Sequence, residues 1–193
     1  MIAILCANRN SVYHSLPGLE VFDTKRDART FDGHCPIVAH PPCRAWSIHC
    51  SHQAKPEPGE KELGLFCADM LRQCGGVLEQ PAHSRLFAAA DLPLPRAKSE
   101  GLWTIEVCQA WWGYPMLKRT WLCFAYVWPR EIHLPLVLHP HGYDRRREQV
   151  MSKNQRAATT RAFAEWLVDA ARHARILPNQ PHIRNETPNP PAY

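Results

Sequence analysis

Two short apolar runs, PIVAH (36–40) and VLEQP (77–81), are each stopped by proline and flank a single amphipathic segment. No other feature constrains the fold as strongly. The segment KPEPGEKELGLFCADMLRQCGG (55–76) spaces Leu63, Phe66, Cys67, Met70, Leu71 and Cys74 by threes and fours, the period of one helix face. Acidic residues at its start suit the positive end of a helix dipole, and Gly75-Gly76 supplies a stop. Strand, helix and strand in this order make a βαβ unit, which crosses over right-handed between parallel strands.

The rest of the chain extends that pattern. IAILC (2–6) and LEVFD (19–23), the second entered through Pro17-Gly18, read as further buried strands. TWLCFAYVW (120–128) is β-branched and aromatic and reads as another. Ser99 is positioned to cap a second helix over 100–112, with Leu102, Ile105, Cys108 and Trp112 inward. A final helix is expected from Ser152 to Ala174, with Phe163, Trp166, Leu167, Ala170 and Ala174 on one face. The expected class is α/β, a mostly parallel sheet flanked by helices. Residues 1–177 read as one domain, with 129–151 a long surface loop and 178–193 an extended tail.

Composition removes several alternatives. Eighteen prolines against 9 glycines, without a Gly-X-Y period, exclude a collagen-like chain. With 45% hydrophobic and 21% charged residues the chain is no disordered polyelectrolyte. No run approaches the ~18 apolar residues that span a bilayer. The apolar N-terminal stretch is short and lacks a basic flank, unlike a signal peptide, so a cytoplasmic location is expected. The 8 cysteines are then expected as thiols rather than a disulfide framework. A net charge of +5 permits a nucleic-acid partner without demanding one.

Ligands of such sheets bind beyond the carboxyl ends of the strands. Two motifs fall there. In AHPPCRAWS (39–47), Pro41 and Pro42 fix the approach to Cys43, so its thiol is aimed. Arg44 beside it favours the thiolate, the nucleophilic form. In GGVLEQP (75–81), Glu79 ends the next strand. A thiol nucleophile and a carboxyl that can hold a proton suit attack on a polarised ring. Cys43, His49, Cys50 and His52 also form a Cys/His cluster, but adjacent His49-Cys50 is unlike the usual ligand spacing and argues against zinc. Lys118 and Arg119 lie among Trp103, Trp111, Trp112 and Trp121, a set able to clamp nucleic acid, although Trp121 suits a core. Arg145, Arg146 and Arg147, in the expected loop, suit phosphate contacts.

PPCRAWS (41–47) followed by LEQP (78–81) resembles the DNA cytosine-5 methyltransferases, whose Pro-Cys loop, often PPCQxFS, precedes a strand ending in Glu-Asn-Val. Here Gln80-Pro81 replaces Asn-Val. WGYPMLKRTWLCF (112–124) resembles the family's Gly-x-Pro turn with its basic segment, and the chain is also similar to short phage or prophage proteins of this lineage. The resemblance covers roughly residues 36–125.

It implies a reduced Rossmann-like methyltransferase core and a DNA-modifying enzyme. Cys43 would add to C6 of a flipped cytosine. Glu79 would engage the base edge. Arg119 or Lys118 would support the ring or a phosphate, with Arg44 and Ser47 beside the nucleic acid. S-adenosylmethionine would be the donor, held by Asp23 after the second strand and by Asp27. The strand end that should receive this cofactor, CANRNSVYHS (6–15), has no glycine. That departure motivates an alternative, a non-catalytic derivative binding DNA or protein, for example to blunt a host defence. It also leaves room for a partner subunit or homo-oligomer to complete the site.

Overall fold

The computed structural model describes residues 1–47, 55–97, 99–136, 151–152, 155 and 157–175. Six strands form one sheet: β1 (Ile2–Leu5), β2 (Leu19–Val21), β3 (Ile37–Ala39), β4 (Gly76–Pro81), β5 (Leu102–Cys108) and β6 (Arg119–Ala125). Their order is β2-β1-β3-β4-β6-β5. The first four run parallel, and β6 is antiparallel to both β4 and β5. Helix α1 (Glu60–Cys74) joins β3 to β4, the short α2 (Leu86–Ala89) follows β4, and α3 (Arg161–Arg172) comes last. The chain is therefore α/β with a mostly parallel, mixed sheet. No helix among the described residues is long and apolar enough to cross a membrane.

The continuous apolar runs are explained by burial on both faces. One face carries Leu5, Ile37, Ala39, Leu78 and Cys123 against Cys67, Leu71 and Cys74 of α1. The other carries Ile4, Val38, Val77, Leu122 and Phe124 against Phe163, Ala164 and Leu167 of α3. Each fully buried Leu or Phe contributes about 1.5–3 kcal/mol at most. Burial holds the thiols of this core in the neutral form, with Cys74 pushed up to about 12 and Cys123 to about 11. The seven described cysteines are all free.

Helix α1 starts later than its periodicity suggests, after Pro58-Gly59, with Glu60 and Glu62 in its first turn. Gly75 closes it at φ +72°. At Gly76 (φ +113°), a Cβ would lie 2.0 Å from the Ile37 carbonyl oxygen. Only glycine lets β4 begin beside β3.

The sequence expectation fails over 100–112. That segment is the strand β5 followed by a single 3-10 turn, Gln109–Trp112. Leu102, Ile105 and Cys108 mimic a helical spacing, but Trp103, Ile105 and Val107 alternate onto the α3 face. Seven paired rungs with β6 and the strand preference of Trp103, Thr104, Ile105 and Val107 override the helical pattern. The final helix is also shorter than expected, beginning at Arg161 rather than near Ser152. Thr160 caps it, accepting from the Phe163 N–H at 3.3 Å. The same hydroxyl donates to the Trp112 carbonyl at 2.8 Å, tying α3 to the 109–112 turn. Phe163, Leu167 and Ala170 are buried as expected, with Trp166 and Ala174 packed against that cluster.

Candidate active site

Strand order reverses at β1, whose neighbours β2 and β3 lie on opposite sides. In doubly wound sheets ligands bind beyond the strand carboxyl ends at such a reversal, which here falls at β1 and β3, with β4 beside β3. His40 leaves β3 directly into Pro41-Pro42-Cys43. The Cys43 loop is fixed from three directions. Gln80 is 1% exposed, donates from Nε2 to the Pro41 carbonyl at 2.5 Å and accepts from Ser84 Oγ at 3.0 Å. Trp46 is buried over α1 at Gly64, where any Cβ would lie 2.5 Å from its indole nitrogen. Arg44 bonds Glu57 at 2.8 Å and also reaches Glu60 at the start of α1. Ser47 ends the loop half-buried.

Cys43 is exposed. Desolvation by its surroundings, then the Glu79 carboxylate, push its thiol above the ordinary value, while Lys118 opposes them. The expectation for Arg44 is thus corrected. Its guanidinium is committed to Glu57 and Glu60, and Lys118 is the side chain whose charge favours the thiolate.

Glu79 sits at the centre of a polar network that the sequence did not reveal. Its Oε2 faces His40 Nδ1 at 3.0 Å, and its Oε1 accepts from Gln109 Nε2 at 3.0 Å. His40 Nε2 lies 2.8 Å from the hydroxyl of Tyr13, which is 1% exposed. Gln109 also donates to Thr120 at 3.0 Å, and its own Oε1 is buried without a hydrogen-bond partner. Burial raises the Glu79 carboxyl, but the His40 hydrogen bond, Lys118 and Gln109 outweigh it and hold it below its usual range. Burial pushes the Tyr13 phenol well above its usual value, so it stays protonated.

Cys43, Glu79 and Lys118 are thus brought together, and Arg119 is not. Glu79 pairs with Leu122 across β4 and β6, which places Arg119 on the opposite face of the sheet. There it bonds Glu106 at 2.8 Å.

The expected cofactor acids are satisfied by their own loops. Asp23 accepts from the Lys25 N–H at 2.7 Å and the Arg26 N–H at 3.3 Å, and faces His14 Nε2 at 3.3 Å. The Lys25 N–H is the main cause of its lowered carboxyl. Asp27 caps the 3-10 turn 28–30 through the Arg29 N–H at 2.9 Å. Both its oxygens also hold the Arg29 guanidinium, which lowers its carboxyl. Between β1 and these acids, Cys6 takes φ +62°, a left-handed conformation usually given to glycine.

Arg145, Arg146 and Arg147 lie outside the described residues, as do His49, Cys50 and His52. A separate cluster, Glu20, His34 and Cys35, brings three donor atoms within 4.8 Å of one another. The Asp32 hydrogen bond raises the His34 imidazole, whose Nε2 lies 2.9 Å from Glu20, so the ring bridges two carboxylates.

Comparison with protein-family models, with curated proteins and with solved structures returned no match. The site must be interpreted from its own chemistry. It offers an exposed thiol, a buried carboxylate with two donors behind it, and an ammonium that stabilises both anions. That set can add sulfur to an electron-poor ring while binding the ring's hydrogen-bonding edge.

Proposed function

We propose that this protein is a DNA pyrimidine-modifying enzyme of the cytosine-5 methyltransferase type, built on a reduced Rossmann-like core. The observation that carries the proposal is the placement of the Cys43 loop and Glu79 at the adjoining carboxyl ends of β3 and β4, with the Glu79 carboxylate near enough to raise the Cys43 thiol. Strand order adds support, because β2-β1-β3-β4 reverses where doubly wound sheets bind nucleotides. Cys43 adds to C6 of a cytosine extruded from the helix. The thiol proton leaves to solvent, the sulfur–carbon bond forms, the C5=C6 π pair moves to C5, and N3 takes up a proton from solvent beside the Glu79 carboxylate. Lys118 stabilises the thiolate before the attack. Arg119, held by Glu106, has no part in this scheme.

The donor side is different. The residues expected to hold S-adenosylmethionine are engaged within their own loops. Asp23 and Asp27 are spent on local caps, and the turn after β1 is built on Cys6 rather than glycine. No transfer step is therefore assigned.

DNA carrying 5-azacytosine tests the addition, since its extra ring nitrogen makes C6 more electrophilic. Incubation with and without S-adenosylmethionine should give a mass adduct on Cys43 that Cys43→Ala lacks. Absence of an adduct under both conditions removes the nucleophile. The committed state of Asp23 and Asp27 favours one second reading, a non-catalytic DNA-binding derivative. That reading requires DNA binding and biological effect to survive the double change Cys43→Ala, Glu79→Gln.

A further inference from the structure

We propose that Tyr13 and His40 are positioning residues that orient Glu79 and hold it as a carboxylate. This rests on the proposed function and adds two residues to the same site. Three segments distant in sequence supply the geometry: the 3-10 turn Val12–Ser15, the end of β3, and the turn after β5.

The buried phenol of Tyr13 keeps its proton and donates it to His40 Nε2 at 2.8 Å. With Nε2 accepting, the ring's own proton sits on Nδ1 and is donated to Glu79 Oε2 at 3.0 Å. Gln109 Nε2 donates to Oε1 at 3.0 Å. Each carboxylate oxygen thus has one donor from the protein, and its remaining lone pair can only accept.

The groups acting on Glu79 are His40 from β3, Lys118 from the approach to β6, Gln109 from the turn after β5, and Cys43 from the loop after β3. The test is a carbon-13 NMR titration of the Glu79 side-chain carboxyl in the full chain. Wild type is compared with His40→Leu and His40→Asn, each checked for its native thermal transition. Asn is included because its amide can donate from the position of Nδ1 but cannot carry the imidazole proton.

His40→Leu should move the Glu79 titration to higher pH, and His40→Asn should move it back toward the wild-type position. A Glu79 titration unmoved in His40→Leu overturns the proposal. Nitrogen-15 NMR of the wild-type ring gives a test that needs no variant. Nδ1 should carry the proton at neutral pH, and a ring protonated only on Nε2 overturns the proposal even if His40→Leu fails to fold. Neither readout uses DNA, so an absent 5-azacytosine adduct would remove the proposed function without deciding the role of His40.

Discussion

The two halves of the sheet's carboxyl edge are built by opposite means. At the β3 and β4 ends, the contacts of Glu79 and His40 span 27, 30 and 39 residues of chain. At the β1 and β2 ends, Asp23 and Asp27 bond backbone amides two or three residues away. Local caps of the second kind arise wherever Asp meets a turn, and they stabilise the turn. A buried network of the first kind must place several polar groups at once, with a cost for each one left unpaired. The difference favours the β3/β4 side for the proposed chemistry, with Tyr13 contributed from the turn after β1.

The comparison can be broken first at its foundation. Gly76→Ala puts a methyl group against the Ile37 carbonyl in a left-handed conformation. It should cost about 3 kcal/mol or more in a denaturant titration, since overpacking and positive φ both oppose it. A loss below about 1 kcal/mol would mean that the β3–β4 junction is not as tight as the register implies.

Gln80→Leu comes next. It leaves the Pro41 carbonyl without a donor and the Ser84 hydroxyl proton without an acceptor, at about 1–3 kcal/mol by the same titration. It should also change the alkylation rate of Cys43, because the loop loses its tie to β4. Asp27→Ala should cost about 1 kcal/mol through the lost cap and leave that rate untouched. Equal effects of the two changes on Cys43 would erase the distinction between the halves.

Acid titration sharpens the comparison further. The Glu79 carboxyl is lower in the folded protein, so the folded state releases its proton more readily than the unfolded chain. Its contribution is complete above the unfolded value of ~4.3 and is lost as pH falls through the depressed folded value. Stability measured against pH should therefore fall less steeply below ~4.3 in Glu79→Gln than in wild type. An unchanged acid limb would show that Glu79 is not held as a carboxylate.

The smallest expected effect concerns Lys118. Lys118→Met removes the charge that favours both the thiolate and the Glu79 carboxylate. Alkylation of Cys43 near neutral pH should slow by a few-fold, about the tenfold-per-unit scale of a fractional pKa rise. No slowing would assign the cation to another residue.

Much of this fold was legible in the sequence. Runs such as IAILC and PIVAH are apolar along their whole length because both sheet faces are covered. The neighbourhood of Cys43 and Glu79 followed from the βαβ unit, which sets β3 beside β4. Strand β5 was misread because apolar residues three and four apart are compatible with either period over so short a segment. Arg119 was misplaced for a related reason. Adjacent residues of a strand face opposite ways, and sequence alone does not give the register that sends Arg119 to Glu106 instead of toward Glu79. Tyr13 and Gln109 lay beyond local inspection, since only the folded sheet brings them to Glu79. His40 carried a usable signal, a histidine at a strand end directly before the Pro-Pro-Cys turn.

The central claim is that Cys43 and Glu79 act as one unit on a pyrimidine. It is tested most directly by following Glu79→Gln in two reactions. Loss of the carboxylate should speed alkylation of Cys43 by iodoacetamide, because the thiol is no longer raised by a neighbouring anion. The same change should slow adduct formation with 5-azacytosine DNA by about 10²-fold or more, the usual scale of acid–base catalysis by a positioned side chain. Opposite signs in the two reactions are the predicted result. A variant that moves both rates the same way, or neither, contradicts the account.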